Sequence, residues 1–193
     1  MVKALVVVAH PDDETIWMGG KILSHKDWDW TVLSLCRKND ADRNPKFFKV
    51  CSFLNAHAFM SDMEDDHPET DLPSLDEVVK RVEPVVMDKE FDIVFTHAPN
   101  GEYGHKRHIE TNAGVMKMVE GGLLETKELF EFAYLPADNP FRAITNSDCD
   151  EVFRLDNEIF ERKRYLINEV YGFDKKSFEY ISCSEIETFN RVF

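Results

Sequence analysis

The sequence lacks any apolar run near the ~20 residues that a membrane-spanning helix needs, so no span is expected. The opening MVKALVVVAH could pass for a leader, but its apolar part is short and no small-residue cleavage site follows. It reads as a strand. Positive charge is also scarce: 23 lysines and arginines stand against 37 aspartates and glutamates, a formal net charge of −14. That excess repels phosphate backbones and argues against nucleic acid as a partner. The nearest thing to a basic patch, Arg37, Lys38, Arg43 and Lys46, is interrupted by Asp40 and Asp42. Cysteine is limited to Cys36, Cys51, Cys149 and Cys183, far apart and with no CxxC pair. A disulfide framework is not expected, and reduced thiols in a cytoplasmic protein are the simplest reading. Internal repeats and low-complexity tracts are missing. So is a GxGxxG after the first strand, which argues against a dinucleotide enzyme.

What is present is an alternation of strands and helices. ALVVVA, Ala4 to Ala9, is the kind of continuous apolar run that is covered on both faces of a parallel sheet. A helix is expected from the acidic Asp12–Glu14 through TIWMGGKIL, then a strand over Trp30 to Cys36. Pro45 can start a helix, Ala58 to Met60 can form a short strand, and Ser61 to Asp71 reads as a solvated acidic loop. Ser74 can cap a helix that Pro84 disturbs. Phe91 to Thr96 is the next buried strand, Gly104 to Val119 a helix, LFEFAYL a strand, and Phe153 part of a last one. Asn157 to Tyr171 reads as a helix stopped at Gly172. Together these predict an α/β fold over 1–193: one domain, a mostly parallel sheet, and helices on both faces. Such sheets bind ligands beyond the carboxyl ends of their strands.

Two clusters fall at those ends. In AHPDDE, His10 closes the first strand and Pro11 turns the chain. The side chains of Asp12 and Asp13 diverge, so one can bind a metal while the other faces a substrate. Acidic residues at a helix start also cap amides and favour the helix dipole, but a cap does not require the histidine. In GEYGHKRH, His105 and His108 are three apart and share one helix face. One aspartate and two histidines drawn from the two clusters would leave a fourth position on Zn²⁺ open for water, the arrangement of a catalytic site. Surface histidines at a helix start are the alternative.

AHPDDE followed at long range by THAPNGEYGHKRH resembles the LmbE-like, or PIG-L, family of zinc-dependent de-N-acetylases. The resemblance runs from the first strand through the helix after His108. It implies a Rossmann-like sheet and metal ligation by His10, Asp13 and His108. Asp12 would be the general base, and His105 would donate to the oxyanion or to the departing amine. Zn²⁺ is the implied cofactor, with Fe²⁺ or another divalent metal as substitutes, and the implied substrate is a small N-acetylated sugar or conjugate. Arg43 matches a substrate-binding arginine of the family, beside the alternative of a surface side chain. Glu14 either orients a ligand through a hydrogen bond or acts on the helix start. His97 is expected to line the pocket without ligating.

This sequence departs from the family pattern in two places. The usually glycine-rich loop reads CRKNDADR, and Lys106 and Arg107 occupy the middle of the common GHPDH. These changes bear on substrate rather than on metal, and Arg107 faces either an anionic substrate group or solvent. Trp17, Trp28 and Trp30 are read as packing residues, with sugar stacking as the alternative. A non-haem Fe(II) oxygenase using the same ligands and a non-catalytic binding module are the rival functions. A homo-oligomer is left open.

Overall fold

The computed structural model describes residues 1–138 and 142–193. β1 (Lys3–Val8) lies inside the sheet with a strand on either side, and its pleat explains the unbroken apolar run. Ala4, Val6 and Val8 enter one core cluster while Leu5 and Val7 enter the other, so both faces are covered. The chain continues through α1 (Asp13–Ser24), β2 (Asp29–Cys36), α2 (Arg43–Leu54) and β3 (Ala56–Met63). It returns through α3 (Asp76–Val86), β4 (Phe91–Thr96), the single turn α4 (Gly101–Gly104) and α5 (Lys106–Glu120). The remainder comprises β5 (Thr126–Phe132), β6 (Tyr134–Pro136), β7 (Ala143–Thr145), β8 (Glu151–Arg154), α6 (Asn157–Tyr165), a π turn (Leu166–Val170), α7 (Phe178–Ser182) and β9 (Ile186–Arg191).

The seven-stranded sheet has the order β3-β2-β1-β4-β5-β9-β8, and β1 to β5 all pair in parallel. Only β9 runs against its neighbours β5 and β8. The chain winds outward from β1 to β3, then crosses back to β4 on the other side of β1. The strand order therefore reverses between β1 and β4, which opens a crevice at their carboxyl ends. Helix α5, which carries His108, is held close to α3: a Cβ on Gly114 would lie 2.4 Å from Val78.

Several elements differ from expectation. α2 begins at Arg43, with Pro45 in the first turn, where its missing N–H costs no helical bond. α3 runs past Pro84 to Val86, because Val82, Val85 and Val86 are all buried. LFEFAYL is two strands broken at Ala133, whose N–H and carbonyl both pair with Thr188 of β9. The long helix over 157–171 ends as a π turn, and Gly172 follows with φ 83°. Among the described residues no helix is long and apolar enough to cross a membrane.

Candidate active site

The crevice between β1 and β4 brings the two clusters together across 98 residues of chain. His10 Nδ1 lies 3.2 Å from His108 Nε2 and 3.2 Å from Asp13 Oδ2, and Asp13 Oδ2 lies 3.4 Å from His108 Nε2. These edges match the ~3.3 Å between corners of a tetrahedron whose centre forms bonds of ~2.0–2.1 Å, the Zn²⁺ distance.

The far side of each ring decides what faces inward. His10 Nε2 is 3.1 Å from Asp65 Oδ1, and His108 Nδ1 is 2.5 Å from Glu102 Oε2. A carboxylate only accepts, so a neutral ring that donates from its outer nitrogen presents a lone pair from its inner one. Asp13 is fixed in turn: its Oδ1 accepts from Trp17 Nε1 at 2.9 Å, and its Oδ2 from the His10 amide at 2.8 Å. Two lone pairs and a carboxylate oxygen converging at these distances suit a cation. Without one, a proton takes its place. Burial lowers the His10 imidazole, but Asp13 and Asp65 outweigh it and push the pKa up to about 8.

Asp12 stands beside this triangle and outside it. It lines a cleft of about 380 Å³ together with His10, Asp13, Arg37, Arg43, Asp65, Tyr103, His105 and Phe178. Its backbone has φ 122°, a conformation that L residues rarely adopt and that costs on the order of 1–3 kcal/mol. Glu14 helps to hold it there. That buried carboxylate accepts from the Asp12 amide at 3.0 Å and from the Tyr171 hydroxyl at 2.8 Å, so it orients Asp12 rather than a metal ligand. Burial, and then the neighbouring Asp13 charge, raise the Asp12 pKa well above the ordinary carboxylate range. Arg43 approaches Asp12 Oδ2 at 3.2 Å and stacks over the Phe173 ring at 4.2 Å. Because glycine adopts this φ without strain, Asp12→Gly should be more stable than Asp12→Ala by about 1–2 kcal/mol, the reverse of the usual glycine penalty. Urea unfolding of the two variants checks the order.

His105 lines the same cleft, and its buried Nδ1 has no hydrogen-bond partner among the described residues. Burial and the neighbouring His108 and His10 hold its pKa near about 3, so the ring is neutral.

His97 does not line the cleft. It is wholly buried, its Nδ1 2.8 Å from Glu102 Oε2, and its Nε2 accepts the Ala9 amide at 2.9 Å. That amide takes the lone pair that a metal would need, although Asp13 Oδ2 is 3.4 Å away. The tryptophans pack, as expected, but Trp17 does more through its bond to Asp13.

Two important residues escape a reading of the sequence. Asp65 sits in the supposed solvated loop yet is buried, bridging His10 and Arg37. Burial opposes its ionisation, but His10 and Arg37 prevail and bring its pKa to about 2. Glu102 is buried between His97 and His108 with φ 59°, and they lower its pKa to about 2 against the same opposition. The glycines flanking Glu102 are the one local sign of such a turn.

Arg107 faces neither solvent nor an anionic substrate. Its guanidinium is buried and donates to the carbonyls of Glu64, His67 and Thr70 and to the carboxylates of Glu64 and Glu110. Lys106 adds the Glu69 carbonyl at 2.8 Å. The pair that departs from the family motif therefore clamps the loop that delivers Asp65 to His10. Arg107→Ala would leave Glu110 Oε2 and the loop carbonyls without this donor and should cost about 3–5 kcal/mol. Its thermal midpoint should fall by roughly 6–20 °C.

The family model described as PIG-L, GlcNAc-PI de-N-acetylase, matches residues 5–119. The chain is 28% identical over 146 residues to 1D-myo-inositol 2-acetamido-2-deoxy-alpha-D-glucopyranoside deacetylase of Corynebacterium diphtheriae, covering 57% of this chain and 50% of that protein. It spans about half the length of the curated relatives it matches. Its backbone resembles N,N'-diacetylchitobiose deacetylase of Pyrococcus horikoshii, with TM-score 0.71 and 16% identity over 98% of this chain and 83% of that one. It resembles the 4-carboxy-2-hydroxymuconate hydratase of Pseudomonas putida KT2440 almost equally, with TM-score 0.69 and 16% identity over 100% and 97%. A deacetylase and a hydratase on one backbone mean that chemistry has to be read from side chains. The family match takes in both histidine clusters and every strand that shapes the crevice, and by it this chain belongs to the PIG-L, GlcNAc-PI de-N-acetylase, family.

Proposed function

We propose that this protein is a metal-dependent hydrolase that removes an acetyl group from the amide nitrogen of an N-acetylated sugar or sugar conjugate. One observation carries the reading: a triangle of His10, Asp13 and His108 donors beside a cleft lined by Asp12 and His105. Those three residues would hold Zn²⁺ or another divalent cation. The bound ion supplies Lewis-acid activation of water and of the amide carbonyl.

The remaining work falls to the chain's own groups. Asp12 takes the proton of the attacking water, and its raised pKa makes it a better base than a surface aspartate. Arg43 keeps the carboxylate aimed at the cleft. His105, neutral and short of a partner, donates a hydrogen bond to the oxygen on which charge develops, and the proton that Asp12 takes from water goes on to the departing amine. Acetate and a free amine are the products.

The test is metal-dependent acetate release. Protein stripped by a chelator should be inactive on a panel of N-acetyl sugars and should regain activity on binding one Zn²⁺ per chain. Zinc-loaded protein with no acetate release from any of them overturns the reading. Oxygen uptake by the iron form would favour the oxygenase instead.

A further inference from the structure

We propose that the cleft selects N-acyl amines that are neutral or carry a positive charge elsewhere, and turns away phosphorylated or carboxylated ones. The inference rests on the deacetylase reading and names its substrate class. Five carboxylates line the cleft, from Asp12, Asp13, Asp40, Asp65 and Glu179, against the guanidiniums of Arg37 and Arg43. A divalent cation at the triangle still leaves one negative charge over.

Each guanidinium is already engaged by a carboxylate of the cleft. Arg37 holds Asp65 Oδ2 through two nitrogens, at 2.6 and 2.8 Å. Arg43 is engaged by Asp12 at 3.2 Å, and the Phe173 ring covers its face at 4.2 Å. The carboxylates are less fully matched. One oxygen of Asp40 accepts the amides of Asp42 and Arg43, at 2.9 and 2.8 Å, and starts α2. Its other oxygen and the Glu179 carboxylate have no ion-pair partner among the described residues. Glu179 follows Phe178, which forms an aromatic wall of the cleft with Tyr103, their rings 4.5 Å apart, and Asp40 lines the same cleft. Such a wall suits the apolar face of a sugar ring and attracts an ammonium group. The overall charge of −14 adds a field of the same sign.

One unit charge a few ångströms from an unpaired carboxylate at a protein surface changes binding by on the order of tenfold. Zinc-loaded protein should be compared on N-acetylglucosamine, its 6-phosphate, and a glucosamine disaccharide carrying one acetyl and one free amine. At low salt, kcat/KM for the aminated disaccharide should exceed that for the phosphate by about 100-fold. The ratio should collapse in 1 M salt, where the screening length is ~3 Å. In the Asp40→Asn, Glu179→Gln double variant it should shrink by about tenfold; being a ratio, it is insensitive to loss of folded protein. A phosphate cleaved as fast as N-acetylglucosamine, or an unchanged ratio in the double variant, overturns the proposal while leaving the deacetylase reading intact. Equilibrium dialysis of the fully deacetylated disaccharide against glucosamine 6-phosphate decides the charge preference even if no acetyl is released. In that outcome the deacetylase reading alone fails. Tighter binding of the phosphate would sink the preference itself.

Discussion

Asp12→Asn should bind one zinc ion per chain as the parent does, while kcat falls by about 10²–10⁴-fold, the usual contribution of a general base. Asparagine keeps the shape of the side chain, retains an oxygen for Arg43, and tolerates a positive φ better than most residues. The triangle of donors does not include Asp12, so the metal should be indifferent to the change. Only basicity is removed. Metal analysis alongside steady-state kinetics separates the outcomes: an undiminished rate sinks the base assignment, and loss of zinc sinks the ligand assignment.

His108→Ala should lose both metal and turnover. It deletes one corner of the triangle and leaves the buried Glu102 carboxylate with His97 as its one remaining imidazole. Removing one partner of a buried charged pair costs about 3–5 kcal/mol, so the apo variant should also melt earlier. Glu102→Gln is the informative comparison. It keeps the His108 ring but replaces the full charge behind it, a change worth about 10–100-fold in metal affinity. Competition with a chromophoric chelator should rank the parent first, Glu102→Gln second and His108→Ala last. Parent-like affinity in His108→Ala would show that the ion lies elsewhere.

Most of the sheet can be read from local pattern, and the two clusters stand out by their residue types, while the choice of His10, Asp13 and His108 among them comes from the family resemblance. β1, β2 and β4 are mostly apolar, buried segments because both faces of each are covered; His10 follows the end of β1, and His108 lies in α5 beyond β4. The outer partners are another matter. Asp65 looks like any residue of an acidic loop until Arg37, Lys106 and Arg107 arrive from other segments to hold that loop down. Burial of a carboxylate depends on partners distant in the chain, and no local period records them. Arg107 shows the converse: its place within a recognised motif suggests a ligand contact, while its hydrogen bonds give it a bracing role. Helix bounds fail for a similar reason, since burial of the valines in α3 overrides a proline that local propensity would treat as a stop.

The bond from Tyr171 to Glu14 joins the two ends of the polypeptide at the base of the crevice, and Glu187 does the same by accepting the amides of Gly20 and Lys21. A nascent chain released as far as α6 would own every candidate ligand but not the hydroxyl that steadies the loop of Asp12.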